Sequence, residues 1–468
     1  MKKSEWILAG VLLVNFLLIL FTSQITLKNF PNSSDEYSQY ISAKLFSEGR
    51  LSVPSPPQKD FFFFFNLVNN GKYYGKYPPG WPFIWSIGIL LNISWLLNPI
   101  FGVLTLIVIY LIAKENFSDR IANIAIILTL FNPYIIFNSA SYFSHPAALF
   151  FLSLFVYFYF KSFNTASKLN YAMLGITSGV GFLIRPYTAV AIILPFAVYS
   201  AYNSIKKRRL KQDMKLFSIA FTAFLLFFAL FLLYNYLQTG DPLLQPFNVY
   251  RPCDKIGITN CSFDLTFGTK NNLIFRLLKL NHWVPLSVFL LIFYLFKKKE
   301  WKGMLLFSTF ASLFIAYFFY FFLQGNEYGP RYLYEASFAI FTLMAISLKK
   351  FGKKTQYFVV AIILVLNIAS LYVQTNFYAH QVENRLTLYR LVENKNISNA
   401  VVFIRNGIDY MMRAPELTRN GIYFNESVLY VLDKNESNKE LMKEFPDRNF
   451  YYFTYNQANK TGQILPYS

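Results

Sequence analysis

Long apolar runs recur along this 468-residue chain almost to residue 373, and they constrain its fold more than any other feature. In hydrocarbon, a run of roughly 18 residues or more can satisfy its backbone polar groups only by coiling into a helix. The chain therefore reads as an all-α polytopic membrane protein. Its 53 Phe and 34 Tyr exceed what a soluble core needs. Many gather at the ends of the apolar runs, where aromatic rings favour the headgroup zone.

The formal net charge is +20, and its distribution decides what that means. The short linkers at 2–3, 114–120, 161–168, 206–215, 297–302 and 349–354, with Glu5, hold 20 basic and 5 acidic residues. The tail after residue 373 is nearly balanced, with 11 basic and 10 acidic residues. An excess concentrated in short linkers marks them as cytoplasmic. No basic face remains outside them, which excludes nucleic acid as a partner.

The run at 6–21 follows a Lys pair and precedes no small-residue cleavage site, so it reads as an uncleaved anchor with a cytoplasmic N-terminus. Residues 22–98 then form an external loop. If the linker at 114–120 is inside, the stretch 81–113 must cross an odd number of times. Asn98-Pro99 divides it into a helix in or dipping into the outer leaflet (81–97) and a crossing helix (99–113). Further spans are expected at 121–137, 143–160, 169–184, 187–203, 216–237, 283–296, 303–323, 336–348 and 355–373. That makes about eleven crossings in a membrane domain of residues 1–373, set in the plasma membrane. A second external loop covers 238–282, and the C-terminus lies outside. Residues 374–468 have mixed polarity and strand-like stretches, and read as a small external α/β region or an extended tail. The five Phe at 61–65 are expected to dip into lipid or pack on the spans. Cys253 and Cys261 share the second external loop, which leaves a disulfide and two free thiols equally open. Neither has metal-ligand partners nearby.

Chemistry-bearing residues concentrate in the external segments. Ser33-Ser34-Asp35-Glu36 opens an amphipathic stretch with Tyr37, Tyr40, Ile41 and Leu45 at helical spacing and Gly49 as a stop. Ser33 with Glu36 fits a helix capping box, and acids at a helix start are stabilised by its dipole. The same position keeps Asp35 ionised, as a general base requires. Downstream, Lys76-Tyr77-Pro78-Pro79-Gly80-Trp81 fixes an extended turn and holds Lys76 at the outer interface. A snorkelling lysine in an aromatic belt would look the same.

Taken in this order, the Asp-Glu pair after the first span, the surface helix and the Lys-x-Pro-Pro turn resemble the C-type (GT-C) membrane glycosyltransferases. The similarity is to the branch of protein O-mannosyltransferases and lipid A aminoarabinose transferases. It covers residues 1–240, with looser matches to 348. The resemblance implies inverting transfer of a hexose or pentose from a polyprenyl-phosphate donor at the external face, in cell-envelope glycosylation, with Asp35 as the base. It also suggests a family role for the Gly329-Pro330-Arg331-Tyr332 turn.

Other ionisable groups near the outer face are candidates by cost, because charges at membrane depth are expensive. His145 precedes Pro146 at the start of a span, and it also fits a structural hydrogen-bonded histidine. Arg185 precedes Pro186 between two spans and suits phosphate clamping or lipid headgroups equally. Glu327 and Arg331 lie in the later external turn, followed by Glu335, and His282 sits at the lip of another span. Asp35 and Glu36 are the expected catalytic pair, Glu36 positioning Asp35 or binding sugar; Lys76, Arg185 and Arg331 are the expected phosphate contacts, and His145 and Glu327 further substrate contacts. Membrane lipids are partners by necessity. The acceptor stays open among protein, lipid and glycan, and a divalent metal stays open as a cofactor. A transporter or flippase of a lipid-linked or anionic substrate is the alternative function, and a ligase or polymerase using the same donor is a third.

Overall fold

The computed structural model describes residues 3–253, 258–259, 262–263, 266–296, 300–318, 320, 327–405, 419–456 and 459–467. The first half runs α1 (Lys3–Phe21), α2 (Ser34–Ser47), β1 (Val53–Pro54), β2 (Leu67–Asn69), β3 (Lys72–Gly75), α3 (Gly80–Leu90) and α4 (Leu97–Asn116). It continues through α5 (Asp119–Ile127), α6 (Pro133–Ala140), α7 (His145–Asn164), α8 (Lys168–Ile184), α9 (Pro186–Lys206) and α10 (Leu210–Thr239). The second half has α11 (Pro246–Tyr250), β4 (Ile258–Thr259), β5 (Ser262–Phe263), α12 (Thr266–Trp283), α13 (Ser287–Leu295), α14 (Trp301–Phe318), α15 (Ser337–Lys349) and α16 (Lys353–Arg385). It closes with α17 (Thr387–Asn394), β6 (Ala400–Ile404), β7 (Val428–Leu432), α18 (Asn438–Glu444), β8 (Asn449–Asn456) and β9 (Thr461–Pro466).

This is a mostly helical integral membrane protein. Among the described residues, seven helices are long and apolar enough to cross a bilayer, or eight if α12 and α13 form one span bent by 109°. The sequence suggested about eleven, and the difference has local causes. The expected span at 121–137 is broken between α5 and α6. Phe131 takes a left-handed φ of 56° there, and Asn132 caps a new helix by accepting the Ile135 N–H. The expected span at 283–296 is interrupted at Leu286, also left-handed. Helix α15 is only 13 residues long, but Ser337 to Leu348 are all buried. A helix that is apolar on every side belongs inside a bundle. By contrast α10 turns most of its surface outward, with 11% of its apolar window buried inside the protein.

The helix ends sort into two sets. The basic linkers join the ends of α4 and α5, α7 and α8, α9 and α10, and α15 and α16. At the opposite ends lie the exit of α1, the starts of α7 and α9, the start of α15 and the end of α16. That second face carries an extramembrane layer. Strands β1, β3 and β2 form a small antiparallel sheet in that order. The C-terminal sheet has the order β7-β6-β8-β9; β6 is parallel to β7 and β8, and β9 is antiparallel to β8.

The two sheets share one core with α2. Tyr37, Ile41 and Leu45 of α2 pack with Val401, Phe403 and Val431 of the C-terminal sheet. This corrects the expectation for the Phe run. Phe62 meets Phe424 edge-on at 4.7 Å, Phe61 lies 6.4 Å from Phe403, and Phe64 lies 4.6 Å from Tyr37. The run is therefore the seam between the first loop and the C-terminal sheet, not a lipid anchor. The boundary expected at residue 373 falls inside α16, which continues to Arg385. Cys253 is disulfide-bonded; the chain's other cysteine, Cys261, lies outside the described residues.

Candidate active site

Four backbone interruptions aim side chains at one point. Helix α2 begins at Ser33, whose Oγ accepts the Glu36 N–H, and this places Asp35 in the first turn. Pro186 disfavours helix at the residue before it, so Arg185 adopts φ −145° and ψ 82° between α8 and α9. Pro146 sits in the first turn of α7, just after His145. Tyr328 and Gly329 turn with φ of 55° and 95°, and Arg331 then opens the 3-10 segment Arg331–Ala336.

These residues line a cavity of about 290 Å³ at the boundary of helices and extramembrane layer. Asp35, Lys76, His145, Arg185, Glu327 and Arg331 all face it. Glu36 does not. It is fully buried, with its carboxylate accepting the Asn32 N–H at 2.8 Å, the Ser33 hydroxyl at 3.0 Å and the Tyr142 N–H at 2.8 Å. His282 is also elsewhere, 3.2 Å from Gln374.

Asp35 is the organising acid. Its Oδ2 accepts from Arg331 Nη2 at 2.6 Å. Its Oδ1 accepts from the Tyr77 hydroxyl at 2.6 Å and the Asn66 amide at 2.7 Å. Burial opposes the charge, but Arg331, Lys76 and the Tyr77 hydroxyl hold the Asp35 carboxyl below the ordinary carboxylate value. Asp35 is thus an ionised carboxylate whose hydrogen bonds among the described residues fill three of about four lone-pair sites. For Glu36 burial is the largest influence. With the nearby Glu327 charge it pushes Glu36 up to about 7, against the three hydrogen bonds it accepts. Burial likewise pushes Glu327 up, while Arg385 and Arg331 oppose it.

Among the described residues, the cavity lining carries more cations than carboxylates. Lys76, Arg185, Arg251, Arg331 and Arg385 line it against the carboxylates of Asp35 and Glu327. The Lys76 ammonium lies 4.4 Å from the Phe247 ring centre and 4.6 Å from that of Tyr250, so aromatic faces shield it from water. The Arg331 guanidinium lies 4.5 Å above Phe143. Arg185 Nε reaches the fully buried Glu335 at 3.0 Å, and its Nη2 reaches the Tyr317 hydroxyl at 3.0 Å. His145 Nδ1 meets the same Glu335 oxygen at 2.8 Å. Arg385 bonds the Asn32 carbonyl and lies 3.8 Å from Glu327. Among the described residues, no three His, Cys, Asp or Glu side chains group as metal ligands.

Asn66, Arg251 and Arg385 were not singled out from the sequence. Asn66 had a faint signal, because asparagine tolerates the left-handed φ of 69° it adopts after the Phe run. Arg251 and Arg385 had none.

Residues 77–234 match the family described as dolichyl-phosphate-mannose-protein mannosyltransferase. That segment carries Tyr77, His145 and Arg185, while Asp35, Lys76 and Arg331 lie outside it. Among solved structures, ArnT from Cupriavidus metallidurans bound to undecaprenyl phosphate aligns with a TM-score of 0.63. The alignment spans 98% of this chain and 94% of ArnT at 11% identity. The fold is that of the C-type membrane glycosyltransferases. The oligosaccharyltransferase of Archaeoglobus fulgidus aligns at a TM-score of 0.51 and 13% identity, over 96% of this chain and 69% of its own. No curated protein matches the sequence. At these identities the alignments speak to the fold, and the resemblance to the mannosyltransferase and aminoarabinose transferase branch holds.

Proposed function

We propose that this protein transfers a sugar from a polyprenyl-phosphate donor to an acceptor hydroxyl, with inversion, on the external face of the membrane. The observation that carries the reading is the Asp35 carboxylate, paired with Arg331 at 2.6 Å, in a cavity lined by cations on the face opposite the basic linkers. The match of residues 77–234 and the lipid phosphate bound by ArnT support the donor class. The positive-inside rule makes the linker face cytoplasmic, and the cavity face external.

The chemistry follows from the charges. The acceptor oxygen attacks the anomeric carbon, and the bond from that carbon to the phosphate oxygen breaks. The electron pair leaves on the polyprenyl phosphate, which Lys76, Arg185 and Arg331 hold and neutralise. Asp35 takes the hydroxyl proton. Its low proton affinity suits a late transfer, once the new bond has made the acceptor oxygen acidic. A phosphate leaving group needs no protonating acid, unlike the leaving oxygen in glycoside hydrolysis. Glu36, three times hydrogen-bonded and outside the cavity, serves the helix start and the Asp35 position.

The transporter reading requires a charged route through both leaflets. The site residues instead gather at one set of helix ends, which favours a surface reaction. The test is transfer from a polyprenyl-phosphate sugar in membranes bearing wild-type protein or Asp35→Asn. We expect a loss of roughly 10²–10⁴-fold with normal insertion. An Asp35→Asn variant as active as wild type would exclude Asp35 as the base. Mass spectrometry of glycolipids and glycoproteins from cells with and without the protein identifies sugar and acceptor.

A further inference from the structure

Behind the cavity wall lies a carboxylate that the proposed mechanism does not use. Glu335 is 0% exposed, on the 3-10 segment that Arg331 opens. One of its oxygens, Oε1, meets both His145 Nδ1 at 2.8 Å and Arg185 Nε at 3.0 Å. The other, Oε2, is buried with no hydrogen-bond partner among the described residues. This is a poor arrangement for stability. A buried ion pair contributes little beyond well-packed apolar side chains, and an unpaired carboxylate oxygen is a net cost.

The arrangement makes sense for orientation. Arg185 has five N–H donors in a rigid plane. Its Nε–H donates to the Thr188 hydroxyl at 3.2 Å, and Nε lies 3.0 Å from Glu335 Oε1 as an ion pair. One Nη2 proton goes to Tyr317 at 3.0 Å, and Ser144 lies 3.4 Å from Nη1. Glu335 thus anchors the guanidinium by charge at its Nε, while Arg185 also lines the cavity. The same carboxylate claims His145 Nδ1, so Nε2 is the ring nitrogen left to face the cavity, which His145 lines. A carboxylate behind a histidine is a recurrent device for fixing the ring's orientation and tautomer.

We infer that Glu335 is a positioning residue: one buried carboxylate orients both Arg185 and His145 toward the phosphate of the lipid-linked donor. The inference rests on the proposed donor chemistry and goes beyond it by making donor-phosphate affinity depend on a residue that does not touch the cavity. It joins the start of α15 to the starts of α7 and α9, so all three helices must be in register for the phosphate site to exist.

The experiment measures binding of undecaprenyl phosphate to purified full-length protein in nanodiscs, alongside its thermal stability. Glu335→Gln removes the charge and keeps the shape. We expect affinity to fall roughly ten-fold, the weight of one charge-assisted hydrogen bond. Glu335→Asp, which restores the charge, should recover part of it. In an Arg185→Ala background, Glu335→Gln should cost clearly less, because the residue acts through Arg185. Three outcomes overturn the inference: unchanged affinity in Glu335→Gln with only a lower melting temperature, no recovery in Glu335→Asp, or full additivity with Arg185→Ala. If Glu335→Gln does not fold, Glu335→Asp decides: its affinity should lie below wild type, and equal affinity refutes the role. Wild-type protein that does not bind undecaprenyl phosphate would instead refute the donor reading itself.

Discussion

Gly80 tests whether close helix contact sets the spacing of the proposed phosphate-binding cations. It starts α3 against the end of α8, where an added Cβ would lie 2.6 Å from the Ile184 nitrogen and from the Leu183 carbonyl carbon. It would also lie 2.8 Å from the Leu183 oxygen. Ordinary contact begins at 3.4 Å, so the two helix ends must part by about 0.8 Å. All three obstructing atoms are backbone, so no side-chain rotation relieves the clash. Lys76 lies four residues before Gly80, and Arg185 follows Ile184. The displacement therefore falls directly between two of the proposed phosphate contacts. Overpacking of this kind costs about 1–3 kcal/mol of stability. A misplacement near 1 Å in a positioned site costs on the order of 100-fold in rate. Gly80→Ala should thus lower kcat/KM for the lipid-linked donor by roughly 10–100-fold and lower the melting temperature in detergent. Gly10→Ala is the control, since a Cβ there meets nothing within 4 Å. It should leave the rate unchanged. A Gly80→Ala protein with wild-type kcat/KM would show that the α3–α8 contact does not set the cation spacing.

Arg331→Met removes the strongest attraction that holds the Asp35 carboxyl down, leaving burial to raise it. The acid limb of the pH–rate profile should move upward from below the ordinary value of 3.8; an unmoved limb would dissociate the two residues. Glu36 carries a raised value of about 7 in the folded protein against 4.5 in the unfolded chain. The folded state then binds more protons between those values, so this group's contribution to stability declines as pH rises from about 4.5 to 7. Melting curves of Glu36→Gln across that range should lose this slope, and an identical slope would refute the assignment. Phe62, 1% exposed and packed on Phe424, anchors the first loop to the C-terminal sheet. Phe62→Ala should cost about 3–5 kcal/mol of local stability and speed proteolysis of the extramembrane layer. Unchanged cleavage rates would place the seam elsewhere.

Much of the site was legible because it depends on local rules. A proline after Arg185 predicts a helix break there, and Pro146 marks the start of α7 after His145. Ser33 and Glu36 announce a helix start, which puts Asp35 in a first turn. The Glu36 side chain shows where that reasoning stops. Its capping role follows from spacing, but its hydrogen bond to the Tyr142 N–H crosses 106 positions. The Phe run was misplaced for the same reason. Its hydrophobicity required burial, and nothing local said that the partner would be Phe403 and Phe424.

The sequence by itself determined a membrane protein, the set of basic linkers that sorts its two faces, and the backbone breaks that carry Asp35, Lys76, Arg185 and Arg331. These follow from hydrophobic run length, charge and proline chemistry, all of which act within a few residues. Only the tertiary structure decided which of these residues meet. The Asp35–Arg331 pair joins positions 296 apart, and Glu335 reaches His145 across 190. Pairings of that kind are set by how helices pack. Packing is a sum of many weak contacts over the whole bundle, and no short stretch of sequence encodes it. The opening apolar runs thus specified the solvent and the elements, while the buried α15 and the turn before it assembled the chemistry.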